Sequence, residues 1–408
     1  MLFARIYLPL ALGYFISYFF RNANAIIEQN LVRELGLSAS SLGLLTSAYF
    51  ISFAAFQLPL GLLLDRYGTR RTESTLLVFA ALGAIVFASS DALIGLVIGR
   101  LFIGLGVSAC LMGAFKAYLV WFPSERLPLI NGLQMVAGGL GALSATTPLQ
   151  FALGHTDWRG IFVILGIVTL AAATFLFTVH PEKPQTLQES GTLREQLEGL
   201  RSIFLSRALW KIAPFTVLTQ ATQLAVLGLW AKPWLRDVAG LEPEVAANIL
   251  FWMMVSMTTG FLTLGVVAER ITSTGWVSPM TLGVGLMTVF VAVQLPIVLE
   301  WTAMPLLLLV LYSFFSSSGI LPFSALPQQF PKHLAGRVIT LLNVMVFSGA
   351  FAIQWGIGMI IDLWPTTASG NYSPLGYQAA FGVLLLLQGL GLAWYLLSAH
   401  ILPQNESR

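Results

Sequence analysis

A chain of 408 residues with 57% hydrophobic and only 10% charged side chains cannot clothe a water-facing surface, since soluble domains carry roughly 25% charged residues. Its 21 Lys and Arg against 18 Asp and Glu leave a net charge of +3, unremarkable in sum, and no nucleic-acid partner is expected. A single cysteine, Cys110, inside an apolar run excludes a disulfide framework.

A membrane-spanning helix needs about 20 mostly apolar residues. The first such run, near 6–28, is longer than a signal-peptide core and carries Arg21, so it reads as a retained span. Further spans are expected near 41–64, 73–90, 93–120, 129–152 and 160–179. A polar stretch rich in Glu, Gln, Arg and Pro follows, and then 209–234, 246–268, 277–298, 303–325, 338–361 and 376–399. The expected fold is therefore an all-α membrane protein of twelve helices. It has an N-terminal six-helix bundle over 1–180, a cytoplasmic linker over 181–207 and a C-terminal bundle over 208–408. Lys and Arg concentrate in cytoplasmic loops. With both termini inside, fourteen fall inside and four outside (Arg33, Arg159, Lys232 and Arg236), while Arg21, Arg100 and Lys116 lie within spans. The halves echo each other, Gly61-x-x-x-Asp65-Arg66 against Gly265-x-x-x-Glu269-Arg270 and Phe122-Pro123 against Phe330-Pro331. Internal repeats build many secondary transporters, with the substrate site between them.

Ionisable groups inside a bilayer are costly and mark pathways. Arg21 stands about 22 Å along the first helix from Ile6, flanked by Tyr18, Asn22 and Asn24. Its bland reading is an arginine snorkelling outward. Lys116, in the half of its span toward the inside, could bind substrate or snorkel, and Arg100, near the outer end of its span, could snorkel outward. No Asp or Glu stands near the middle of any span; Glu28, Glu300 and Asp362 lie at outer ends and Glu73 at an inner end. A cavity with bases and no acids favours an anion and leaves no obvious proton carrier, Glu28 being the candidate nearest Arg21. No phosphate-binding loop, metal-ligand cluster or catalytic triad is present, so neither an enzyme nor a cofactor is expected.

The run Gly61-Leu62-Leu63-Leu64-Asp65-Arg66-Tyr67-Gly68-Thr69-Arg70-Arg71 resembles the signature between helices two and three of the major facilitator superfamily. Gly61, Asp65, Arg66, Gly68, Arg70 and Arg71 fill it, and Thr69 replaces one usual basic residue. The resemblance implies a gating role for Asp65 and its bases, bridging to the start of span eleven, with Glu269 and Arg270 as the partial echo. Gly99-Arg100-Leu101-Phe102-Ile103-Gly104-Leu105-Gly106 resembles the family's span-four motif, which implies a structural or proton-coupling role for Arg100. Tyr18-Phe19-Phe20-Arg21-Asn22 resembles the organophosphate and organic-anion branch, in which an arginine on helix one binds the anion. That branch often has a second arginine on helix seven, where this chain has Gln220, Gln223 and Trp230. A carboxylate therefore fits better than a phosphate ester. The expected substrate residues are Tyr18, Arg21, Asn24, Lys116, Gln223, Trp230, Tyr312 and Asn343, with Glu28 and Arg100 for coupling. The expected activity is proton-coupled uptake of a small organic anion by a monomer in a bacterial inner membrane. The alternatives are a drug or siderophore exporter and, remotely, a transporter-like sensor.

Overall fold

A computed structural model describes residues 2–123, 126–181, 193–273, 277–331, 334–367 and 370–401. Parts of the expected linker, Lys183, Lys332 and Arg408 lie outside the described residues. The described residues form helices joined by short turns, with no strand. In chain order they are α1 (Leu2–Leu35), α2 (Ala39–Ala88), α3 (Leu93–Gly106), α4 (Met112–Trp121), α5 (Leu127–Ser144), α6 (Thr147–Leu153), α7 (Trp158–Val179) and α8 (Leu193–Phe204). The C-terminal half holds α9 (Arg207–Ala225), α10 (Ala231–Asp237), α11 (Pro243–Ser273), α12 (Pro279–Val293), α13 (Leu295–Val298), α14 (Pro305–Ser316), α15 (Ile320–Ala325), α16 (Ala335–Ile361) and α17 (Pro374–Ile401).

Helix starts follow from side chains that satisfy free backbone N–H groups. Ser38, Asp157, Ser206 and Ser278 each accept from the N–H three residues on, opening α2, α7, α9 and α12. Proline occupies the first turn of α5, α6, α12, α13 and α14, where its missing N–H costs nothing. Nine of the described helical stretches are long and apolar enough to cross a membrane.

The differences from the expected segments have local causes. The tight loop expected at 61–71 is helical up to a single hinge, because α2 runs 50 residues and breaks only at Gly68, φ 77°. That left-handed backbone suits glycine. Thr72 Oγ1 bonds back to Leu63 O, and Thr69, standing where a base was expected, bonds Gly113 O at 3.1 Å. The expected segments 93–120 and 129–152 are each two helices, broken at the turns between α3 and α4 and between α5 and α6. Residues 226–230 form one π turn between α9 and α10, an irregularity frequent at functional sites. The expected linker contains α8, and Gly199 on it lies against the Arg337 side chain at the start of α16.

The two halves meet most closely where α16 crosses α2. A side-chain carbon on Gly358 would stand 2.3 Å from Ala39 O, and one on Gly43 would stand 2.7 Å from Gln354 O. Both obstacles are backbone and cannot move aside. Gly358→Ala is expected to cost about 1–3 kcal/mol through overpacking and to lower the midpoint of a thermal unfolding scan. Gly285→Ala, which enters open space, should leave the midpoint unchanged or raise it. Equal midpoints for the two variants would refute the close-contact account.

Candidate functional site

Between the halves lies a cavity of about 160 Å³. Its polar lining is Tyr18, Arg21 and Asn22 from α1, Gln220 and Gln223 from α9, and Asn343 from α16. Apolar walls come from Leu224 and Leu227, from Met254, Met257 and Phe261 on α11, from Phe323 on α15, and from Val346 and Phe347. Methionine is unbranched and polarisable, so it packs against irregular ligands.

Arg21 is the one cation among these lining residues. Its guanidinium carbon sits 4.5 Å from the Tyr18 ring centre, 5.3 Å from Phe347, 5.6 Å from Phe53 and 5.9 Å from Tyr49. Its Nε has no hydrogen-bond partner, and no carboxylate pairs with it among the described residues. Aromatic faces hold a cation by about 0.5–2 kcal/mol each without neutralising it. The fork of N–H donors remains available to a carboxylate-like anion.

Arg100 is fully buried and ties α3 to α1 through an Nη1 bond to Phe20 O at 2.8 Å. It is the other cationic neighbour of the Tyr49 ring, at 5.2 Å. Its contacts therefore fix the position of the residue next to Arg21.

The sequence expectations divide on this geometry. Tyr18, Arg21, Gln223 and Asn343 come together in the cavity. Asn24, Lys116, Trp230 and Tyr312 do not line it, because each is bonded elsewhere. Asn24 donates to Thr46 Oγ1, Trp230 to Gln354 O and Tyr312 to Thr222 O. The Lys116 ammonium forms an ion pair with Asp65. Lys116→Gln is therefore expected to leave anion affinity within about twofold of wild type, because charges held in a partly exposed pair act weakly at a distance. A tenfold loss by calorimetry would restore it to the site. Gln220, noted on helix seven but left out of the expected substrate residues, lines the cavity beside Gln223. Phe53, Phe347, Met254 and Met257 look like any lipid-facing or core residue of an apolar run.

The two ends of the molecule differ. At one end, residues of the C-terminal half close onto the N-terminal half. Arg236 Nη1 contacts both oxygens of the fully buried Glu28 at 2.8 and 2.9 Å, while its other nitrogens bond Asp237, itself held by Tyr377 at 2.7 Å. Lys232 donates to Ile26 O at 2.7 Å and to Gln150 at 3.1 Å. Asp362 accepts from the N–H groups of Ala39 and Ser40, both at 2.9 Å. Lys232 and Arg236, expected among the outside charges, sit on α10, and Lys232 is 3% exposed. Asp237 and Tyr377 were not anticipated. The other end carries the Gly68 hinge of α2 and the start of α16. The expected gating residues lie at this end: Asp65 on Lys116, Arg66 beside the Tyr67 ring, Arg70 over the Phe177 ring at 4.9 Å, and Glu269 and Arg270 exposed on α11. Gly68 is the hinge described above, and Arg71 is exposed one turn beyond it.

Residues 10–354 match the family model of the Major Facilitator Superfamily. The chain is 25% identical over 278 residues to a probable sulfoacetate transporter, SauU, of Cupriavidus necator, covering 64% of each chain. It is 28% identical over 184 residues to the hexuronate transporter of Escherichia coli K12, covering 44% of this chain and 42% of that one. The alignments thus span about two fifths to two thirds of these relatives. Among solved structures, the nucleoside transporter NupG superposes with a TM-score of 0.75 at 12% identity, covering 98% of this chain and 100% of that one. A bacterial homologue of the human lysosomal transporter Spinster, in an inward-facing and unoccupied conformation, superposes with a TM-score of 0.73 at 15% identity, covering 97% and 96%.

Proposed function

Because this chain belongs to the Major Facilitator Superfamily, and is a transport protein rather than an enzyme, we propose that it carries a small organic anion across the membrane by alternating access. The observation that carries this reading is Arg21, a cation facing the cavity with aromatic neighbours and no acid to neutralise it. The named relatives, transporters of sulfoacetate and hexuronate, support an anionic cargo of carboxylate or sulfonate type. The cavity of about 160 Å³ suits a small solute better than a drug-sized one, whose pockets run to about 300–1,000 Å³.

On this reading the halves over 1–180 and 208–408 are the moving bodies. The distribution of Lys and Arg puts both termini and the Asp65 end in the cytoplasm. The arrangement described is then inward-facing, closed to the outside by Glu28, Lys232, Arg236 and Asp362. The anion meets Arg21, with Gln220, Gln223 and Asn343 supplying hydrogen bonds to its neutral part. Neutralising the cavity removes the field that opposes closure around a lone cation, and the halves rock. The direction is uptake with protons by a monomer in a bacterial inner membrane.

A thermal-shift screen of the purified protein tests the reading. Small carboxylates, sulfonates and hexuronates should raise the unfolding midpoint through ligand linkage, while lipophilic cations leave it unmoved. Stabilisation by cations alone would overturn it.

A further inference from the structure

Among the described residues of the N-terminal half, one buried acid belongs neither to an ion pair nor to the cavity. Glu73, on α2 just past the Gly68 hinge, is 0% exposed. Among the described residues no N–H or O–H group bonds either of its carboxyl oxygens. The apolar window that begins at residue 73 suggests a helix end reaching solvent, but the helix is already continuous from the hinge.

Two glycines make the space it fills. A side-chain carbon on Gly13 of α1 would stand 2.8 Å from one carboxyl oxygen, and one on Gly113 of α4 would stand 2.6 Å from the other. The titratable groups facing it are the Cys110 thiol, between α3 and α4, and the more distant Tyr118 hydroxyl on α4. From α5 the neighbouring group is the neutral amide of Gln134, which donates to Leu10 O and Cys110 O. Among the described residues no cation forms an ion pair with Glu73. Lys116 on α4 pairs with Asp65, Arg70 on its own helix lies over the Phe177 ring, and Arg21 is eight residues along α1 from Gly13.

An ionised carboxylate without a counter-charge is not sustained in such a place, so the group sits there as the neutral acid. Packing alone does not explain it, because a hydrophobic side chain of similar volume fills an interior at least as well. Burial as the acid and ionisation only on opening is the behaviour of a proton carrier.

We propose that Glu73 is the residue that binds and releases the coupled proton. The proposal rests on the anion-symport reading and names the site that the sequence left open. A proton from one side of the membrane adds to a carboxylate oxygen of Glu73. The neutral acid is enclosed by α1, α4 and the Cys110 turn. On the other side, opening of that seam admits water and the proton leaves. Arg21 couples the proton to the anion. It stands about 12 Å along α1 from Gly13, a distance at which one charge alters another's ionisation about tenfold in a medium of effective dielectric about 20. An uncovered Arg21 favours the carboxylate, and an anion bound to Arg21 cancels that field and favours the acid. Each ligand therefore helps the other to bind, and to the same degree.

Two measurements on the full chain test this. Infrared spectra of wild type at neutral pH should contain the carbonyl stretch of a protonated carboxylic acid, and Glu73→Gln should lack that band. An unchanged band would overturn the proposal, whether or not any substrate is known. In proteoliposomes, with glucuronate and sulfoacetate as probes, Glu73→Gln should exchange probe within about twofold of wild type yet lose at least about tenfold of the accumulation driven by a proton gradient. Undiminished accumulation would overturn the proposal, and so would loss of exchange as well in a folded variant, which marks a structural role. Failure of wild type itself to exchange either probe would count against the transport reading instead, and the infrared result would still decide the protonation of Glu73.

Discussion

Arg21→Gln should abolish anion binding while leaving the protein folded. Glutamine keeps a polar, hydrogen-bonding side chain but removes the only charge among the cavity-lining residues. Hydrogen bonds to charged groups contribute about 1.5–3 kcal/mol each, and a guanidinium presents two donors in parallel to a carboxylate. Loss of the pair corresponds to at least about 100-fold in affinity, which takes a micromolar ligand out of calorimetric range. The surrounding rings of Tyr18, Tyr49, Phe53 and Phe347 pack against glutamine without needing a charge, so the unfolding midpoint should move little. If Arg21→Gln titrates with any stabilising anion as wild type does, the account of this cavity as an anion site fails.

The second large effect lies at the closed end. Glu28 is 0% exposed and is held by Arg236 across the two halves. Glu28→Gln leaves Arg236 with Asp237 as its counter-charge, so what is lost is the charge-assisted bonding to Glu28, about 1.5–3 kcal/mol. Reversing a 99:1 equilibrium between two conformations takes about 5.5 kcal/mol, so Glu28→Gln should raise the open population at least about tenfold without inverting it. Spin labels on cysteines at the exposed positions 33 and 245, in a chain whose buried Cys110 is replaced by Ser, should report a longer distance in Glu28→Gln. The double variant Glu28→Gln, Arg236→Gln should open at least as far as the single one, since it leaves the buried Asp237 without its cation. An unchanged distance distribution in the single variant would show that this ion pair does not hold the end shut.

Much of this architecture was legible before any coordinates. Apolar runs of spanning length and the Gly61–Arg71 motif gave the family, because both are local in the chain. Arg21, Gln223 and Asn343 were legible for the same reason, each being polar in an apolar run. What failed were inferences that needed a partner from elsewhere. Lys116 reads as a free base until Asp65, 51 residues earlier, is brought beside it. Glu28 reads as a neighbour of Arg21 until Arg236, 208 residues later, claims it. The apolar cavity wall had no signal, since a phenylalanine facing solute and one facing lipid are the same letter. The burial of Glu73 was not legible, because its apolar neighbours on α1 and α4 are distant in the chain.

The contacts that close the Glu28 end are unevenly made. Lys232 and Asp362 reach across from the C-terminal half, but besides Gln150 what they meet is main chain: Ile26 O and the N–H groups of Ala39 and Ser40. Tyr372 does the same with Leu37 O. A backbone atom survives almost any substitution of the residue that owns it. Apart from Glu28 and Gln150, the N-terminal half can therefore drift in sequence along this seam without losing one of these contacts, whereas Lys232, Asp362 and Tyr372 have no such latitude. Mutational tolerance at this interface should be lopsided, with the receiving half permissive and the reaching half constrained.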